Sequence, residues 1–406
     1  MLLSRDELIG LFKVGVGAAD PHAAVQAHFR MHPLAPASRV FLLAFGKAAC
    51  AMADAALPFL PDKTHALVVT NYENAATMPG VELIAAGHPV PDENGLRAGI
   101  RAEELLAAAG QEDHVLVLVS GGGSALLPAP VEGVSLAEKA EVFRILLGAG
   151  LDIVAMNAVR QHLSRLKGGG LLRQAAPANV TALILSDVIG DDLRAIASGP
   201  TASPIMTRSK VVAMLRSHGL WNNLPASACA ALEHHGADSE TTVIAHHHLI
   251  GSNALSVQAM ARACPNAQLD PVPLDGDVSD AAARIVALAK AGAGTTLLGG
   301  ETTVKLQGTG IGGRNQELAL RVALALEGLK GWRFLSAGTD GRDGPTDAAG
   351  AIVDGETCAQ IRAKGGDPQA LLANNDSYHA LELAQALLVT GGTGTNVADL
   401  QIISCA

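Results

Sequence analysis

Ser120, Gly121, Gly122, Gly123 and Ser124 bring together hydroxyls and a backbone with no side chains in the way. Three glycines free the chain to take positive φ. Amide N–H groups left pointing outward beside Ser120 and Ser124 would hold an anion. The pattern is neither GxxxxGK[ST] nor GxGxxG, so it carries no P-loop and no dinucleotide fingerprint. Two cations stand at helix starts, where the dipole disfavours them: Lys47 after Gly46, and Arg314 behind the glycine-rich segment 308–313. An anionic ligand would account for both, and the planar fork of Arg314 suits phosphate or carboxylate. Carboxylates follow apolar runs. Asp187, Asp191 and Asp192 come after Leu185, Glu301 after Gly299-Gly300, and Asp340, Asp343 and Asp347 within residues 336–347. Singly, each is an ordinary cap or turn residue. Together, cations, glycine loops and hard oxygen donors are the parts of phosphoryl transfer.

The histidine run His246-His247-His248 invites a metal reading. Alternation along a strand puts His246 and His248 on one face, but no third ligand lies near, and the run reads as core or surface histidine.

The elements that must position these groups alternate. Val115–Val119 is a β-branched and Leu run typical of a strand buried on both faces. Val40–Phe45, His65–Thr70, Leu83–Ala86 and Thr181–Leu185 are further strands, with helices over about 94–109, 135–147 and 152–165. Residues 4–30 and 205–235 read as helical. The alternation predicts an α/β architecture: a mostly parallel, Rossmann-like sheet with helices on both faces, and ligands beyond the carboxyl ends of its strands. A short polar patch at 237–240 is the candidate boundary, giving domains over 1–238 and 239–406. The second half has strands at 243–248, 268–274, 295–298, 302–306, 333–336 and near 387–390. The close pair 295–298 and 302–306 suggests a hairpin, hence a mixed sheet.

Length and composition set bounds. A chain of 406 residues implies two or three domains. With 49% hydrophobic and 17% charged residues it can bury a large core of small side chains. A net charge of −10 without a basic stripe argues against nucleic acid. Five scattered cysteines without metal spacing fit a reducing, cytoplasmic setting. The first residues read as a helix rather than a signal peptide, and no apolar run is long enough to span a membrane.

Several blocks carry a resemblance. HPVPDEN at 88–94, SGGGSALL at 120–127, NAVRQHLSRLKGG at 157–169, SDVIGDD at 186–192 and ASGPT at 197–201 resemble the amino-terminal half of class II glycerate kinases. GGETTV at 299–304, GGRNQE at 312–317, SAGTDGRDGPTDAAGA at 336–351, NNDSYH at 374–379 and TGTNVADL at 393–400 resemble their MOFRL domain. The resemblance implies a Rossmann-like first domain, a mixed-sheet MOFRL-type second domain, and an active site in the cleft between them. It implies ATP-dependent phosphorylation of D-glycerate at the 2-hydroxyl, with Mg²⁺ or another divalent cation, in a monomer or homodimer. The alternatives are a kinase making 3-phosphoglycerate and an NAD(P)H-dependent hydroxypyruvate reductase.

On that resemblance, Lys47 and Arg314 match candidate catalytic and phosphate-binding residues. Ser120 to Ser124 with Lys47 would hold nucleotide phosphates, and Asn315 joins them. Asp187 or Asp191 would lie near the metal. Glu301, Asp340 and Asp347 are candidates for base or hydroxyl positioning. The chain departs from the family pattern at Gly170, Ile189, Gly392 and Ala398, the last standing where an Asn is usual.

Overall fold

The computed structural model of the chain describes residues 2–233, 244–292 and 294–406. It separates into two compact units. One comprises Pro21–Ser186 and Asp191–Ile250; the other comprises Met1–Asp20, Asp187–Gly190 and Gly251–Ala406. The expected boundary at 238/239 lies outside the described residues. The division is not a single cut, because the first twenty residues and a four-residue stretch after the fifth strand belong with the carboxyl-terminal half.

The first unit is built on a six-stranded sheet: β1 Val40–Phe45, β2 Thr64–Asn71, β3 Glu82–Ala86, β4 His114–Val119, β5 Asn179–Leu185 and β6 Ala245–Gly251. Its order is β3-β2-β1-β4-β5-β6, parallel through every pair from β3 to β5. All six residues of β1 and of β4 are buried, as continuous apolar runs in a doubly covered sheet must be. Registers Phe45↔Val119 and Val119↔Ile184 bring the carboxyl ends of β1, β4 and β5 to one edge. Helices Ala49–Ala56, Glu93–Ala107, Leu136–Gly148 and Ile153–His162 follow in chain order. Asp92, Ser135 and Asp152 cap the last three, each accepting from the amide three residues on.

The second unit holds β7 Gln268–Leu269, β8 Leu274–Asp277, β9 Thr295–Thr303, β10 Trp332–Gly338, β11 Gly350–Asp354, β12 Leu387–Leu388 and β13 Asp399–Cys405. The order β12-β11-β10-β13-β9-β7 is antiparallel from β12 to β9; β7 and β8 run parallel to β9, so the sheet is mixed. β13, fully buried between β10 and β9, went unread in the sequence although Leu400-Gln401-Ile402-Ile403 marks it. The helix Arg5–Gly17 lies on this sheet, burying Leu8, Leu11 and Phe12 with Val257, Leu335 and Ile402.

Several expected elements change. The helix over 4–30 is two, Arg5–Gly17 and Pro21–Met31, because Pro21 begins a new one. The region 205–235 is Arg208–Ser217 and Ala226–Glu233, with a 3₁₀ turn at Trp221–Asn223 between them. The expected hairpin at 295–306 is one strand, β9. Gly299 and Gly300 are not a turn. A Cβ on Gly299 would stand 1.9 Å from Asn253 Oδ1, and one on Gly300 2.0 Å from the Leu274 carbonyl, so both glycines serve close packing.

Candidate functional site

In the first unit, the loops after β1 and β4 are stitched together. Lys47 N–H donates to the Gly121 carbonyl (2.9 Å), Ser120 N–H to the Phe45 carbonyl (3.1 Å) and Ala48 N–H to Ser120 Oγ (3.1 Å). Gly46, at φ +124°, leaves no room for a Cβ: Ser120 Oγ would be 2.2 Å away. Gly122 is left-handed at φ +82°, with His88 and the stem of Lys47 against it. The amides of Gly122, Gly123 and Ser124 have no acceptor among the described residues, and Gly122 has no side-chain cap. This is the geometry of an anion-binding loop. Lys47 is exposed beside it, one residue before the cap Ala48 of the helix Ala49–Ala56 rather than within the first turn. His88 lies at the same loop; burial and the Lys47 ammonium both hold its imidazole below the ordinary value, so it is a neutral ring there.

Beneath the loop runs a buried polar chain that the sequence reading missed. Lys167 Nζ donates to the Ser124 carbonyl (2.6 Å) and Ser124 Oγ (2.8 Å). Ser124 Oγ lies 2.9 Å from Ser198 Oγ, which donates to Asn157 Oδ1 (3.2 Å). Ala197 and Ser198 both take positive φ, +49° and +63°, a strain held in place by Gln161, whose amide donates to the carbonyls of Arg194 and Ser198. The signal available in the sequence was the KGG and ASGPT blocks themselves.

In the second unit, sheet register assembles the charged cluster. Asp399, the first residue of β13, pairs with Gly300 on β9 and Gly338 on β10. Glu301 is therefore next to one neighbour and Asp340 two residues past the other. Arg314, the first residue of the helix Arg314–Ala325, is gripped bidentately by Asp399: Nε to Oδ2 at 2.6 Å and Nη2 to Oδ1 at 2.9 Å. Its Nη1 meets Glu301 Oε1 at 2.8 Å. The position disfavoured by the dipole is thus compensated by two carboxylates of the chain itself, which corrects the expectation that an external anion must explain it. Burial pulls the guanidinium down, but the bonds to Asp399 and the charges of Asp399 and Glu301 raise it overall. Glu301 is half-exposed. Burial first, then the carboxylates of Asp399, Asp187 and Asp340, raise its carboxyl above the usual range, against the lowering effect of Arg314. A raised carboxylate beside a fixed guanidinium can accept a proton from a hydroxyl.

Asp343 is buried and caps the same helix from another loop, accepting from the Asn315 and Gln316 amides at 3.1 and 2.8 Å. Desolvation pushes its carboxyl up to about 6. Asn315 is buried as well: its Oδ1 accepts from Ser336 Oγ (2.6 Å) and its amide points at Asp343. Asp347 accepts from the Tyr378 hydroxyl (2.9 Å).

The second glycine-rich loop differs from the first. Amides of Gln307, Gly308, Thr309 and Ile311 donate to the side chains of Asn375, Asn374 and Asp376, and Gly310 to the Asn374 carbonyl. Cβ atoms on Gly308, Gly310, Gly312 and Gly313 would fall within 2.4 Å of that turn, of Ser377 or of Asp343. These glycines pack against protein, and the amides of Gly308 and Gly310 are spent on the facing turn.

Asp187 belongs to the second unit and bears electrostatically on Glu301; Asp191 begins the next stretch of the first unit, at φ +54°, with Oδ1 enclosed and without a hydrogen-bond partner. Among the described residues no three His, Cys, Asp or Glu side chains are grouped to hold a metal ion. The histidine run does find company: His28 packs against His248 at a tilt and His32 stacks on it, ring centroids 4.5 and 6.0 Å away, and His114 and His246 line the same cavity of about 360 Å³. All five cysteines are free. No helix among the described residues is long and apolar enough to cross a membrane.

A family described as a domain of unknown function, DUF4147, matches residues 7–233, and the MOFRL family matches residues 294–399. The chain is 42% identical to a D-glycerate 2-kinase of Thermotoga maritima, over 97% of this chain and 96% of that protein. It is 37% identical to a glycerate 2-kinase of Pyrococcus horikoshii, with 97% and 96% covered. The crystal structure of the Thermotoga maritima glycerate kinase aligns with a TM-score of 0.91 at 41% identity, covering 98% of both chains.

Proposed function

This chain belongs to the MOFRL-containing glycerate kinases, and from that premise we propose that it transfers the γ-phosphoryl group of ATP to the 2-hydroxyl of D-glycerate. The observation that carries the chemistry is the Arg314 cluster. A fork fixed by Asp399 retains N–H donors for the transferring phosphoryl group or the glycerate carboxylate, and Glu301 stands beside it as proton acceptor. In the proposed step the 2-hydroxyl oxygen bonds to the γ-phosphorus and its proton passes to Glu301. The bond from that phosphorus to the bridging oxygen breaks, and ADP leaves. Asp340 would orient the hydroxyl. Unspent amides of Gly122 to Ser124, with Lys47, would bind the nucleotide phosphates.

The donors suit a hard cation. Asp191 Oδ1 is enclosed and unpartnered, and Mg²⁺ takes few carboxylates, filling its shell with water and phosphate. Asp187 or Asp191 would hold it. When bound, the ion neutralises phosphate charge.

The test mixes protein, Mg-ATP and D-glycerate with enolase and follows phosphoenolpyruvate absorbance, no mutase being added. Enolase uses 2-phosphoglycerate alone, so a rising signal is expected. A signal that needs phosphoglycerate mutase would make the product the 3-isomer. No signal and no ADP would overturn the reading, and oxidation of NADH with hydroxypyruvate would replace it by the reductase.

A further inference from the structure

Lys167 is 5% exposed, and its ammonium group ends against neutral oxygens. The ionisable groups facing it are basic: Arg160 from Ile153–His162, and Lys139 from the helix Leu136–Gly148, whose own amine burial and Arg160 lower to about 7. Neither is offset by a carboxylate among the described residues. Arg160 lies over the Phe143 ring, 3.8 Å from its centroid, and Lys139 Nζ is enclosed with no hydrogen-bond partner. An amine buried among like charges sheds its proton, because both desolvation and repulsion act on the charged form alone. Lys167 is accordingly held well below its ordinary value.

The same side chain holds the last residue of the glycine loop. An ammonium has three N–H donors. The Ser124 carbonyl and Oγ occupy two, and the third has no acceptor among the described residues. The Ser124 hydroxyl passes its hydrogen on to Ser198, and Ser198 to Asn157, so neither serine competes for that third donor.

We propose that Lys167 is the counter-charge of the glycine loop: it rests as a neutral amine and takes up a proton when an anionic phosphate group settles on Gly122–Ser124. This rests on the nucleotide reading of that loop given above. The proton comes from solvent, and no bond other than N–H is made. Lys167 acts through Ser124 and is a positioning residue. The phosphate supplies the negative charge that the fold omits, and the ammonium, once formed, fixes Ser124 and strengthens the hold on the ligand. Burial first, then the basic neighbours Lys139 and Arg160, hold the resting amine below its ordinary value.

The experiment is calorimetric titration of the full chain with ADP at pH 8, where the ADP phosphates are already ionised. It is run in phosphate-free buffers of low and high ionisation enthalpy, so that the heat difference counts protons. Up to about one proton should be taken up per ADP bound. Lys167→Met should abolish the uptake and weaken ADP about tenfold or more, the loss of a charge-assisted contact. Lys167→Arg, charged in every state, should bind ADP without uptake. ADP binding with the same heat in both buffers, or uptake that persists in Lys167→Arg, would overturn the proposal and leave the kinase reading standing. Absence of ADP binding in the wild-type chain would overturn both.

Discussion

Ala398 takes φ +62°, in the left-handed region, while its carbonyl accepts from Thr339 N–H and Oγ1 at 3.0 and 2.6 Å. An L-residue with a Cβ costs about 1–2 kcal/mol there. Asn and Gly tolerate it, which explains the Asn usual in the family at this place. Ala398→Gly should therefore stabilise by about 0.5–1 kcal/mol after the extra freedom of unfolded glycine is subtracted. A thermal midpoint a few degrees higher would show it, and an unchanged or lower one would contradict it. Its neighbour Asp399 illustrates what a sequence hides at this scale. Arg314 stood out because a cation at a helix start is locally odd, and Glu301 only as one of several acids that follow apolar runs. Asp399 looks like any acid in a loop until three strands are paired and it faces Gly300 and Gly338. Lys167 was hidden likewise, since burial without a counter-charge is a property of the packed state.

Strands and loops were legible in proportion to how local their signals are. The buried runs of β1 and β4, and the glycine loop after β4, stand where the residues imply. Glycine itself was ambiguous, because it reports close approach without saying to what. At 121–123 it leaves amides unspent; at 308–313 and 299–300 it makes way for neighbouring protein. The histidine cavity joins the helix Pro21–Met31 to β6, elements more than 200 residues apart, and no spacing rule reaches that far. Burial, then His248 and His32, lower the His28 imidazole from 6.5 to about 4. The sign of the consequence is fixed. Between those values the unfolded chain binds a proton that folded His28 refuses, so stability is lost as pH falls from about 6.5 towards 4. His28→Leu should flatten that slope, read from urea midpoints at pH 7, 6 and 5. An equally steep decline in the variant would rule out His28 as its source.

At the scale of the molecule, each unit owns one part of the proposed chemistry, and the second draws on both ends of the described chain. Phe12 and Leu8 from the helix Arg5–Gly17 fill the core under β13 and β10. Phe12→Ala should cost that unit about 3–5 kcal/mol. Denaturant unfolding followed through Trp332, in a Trp221→Phe background, would register the loss. A midpoint equal to that of the background would show that the helix is dispensable.

The placement of β13 bears on how the protein is made. A ribosome delivers Pro21–Ile250 while Arg314 has yet to be synthesised, so the first unit can mature early on the nascent chain. The other cannot. Its helix Arg5–Gly17 is made long before β13, and must keep Leu8, Leu11 and Phe12 from straying until the strand they cover follows. Asp399 opens that strand and grips Arg314. A chain interrupted before it therefore lacks both the middle of its sheet and the anchor of its arginine.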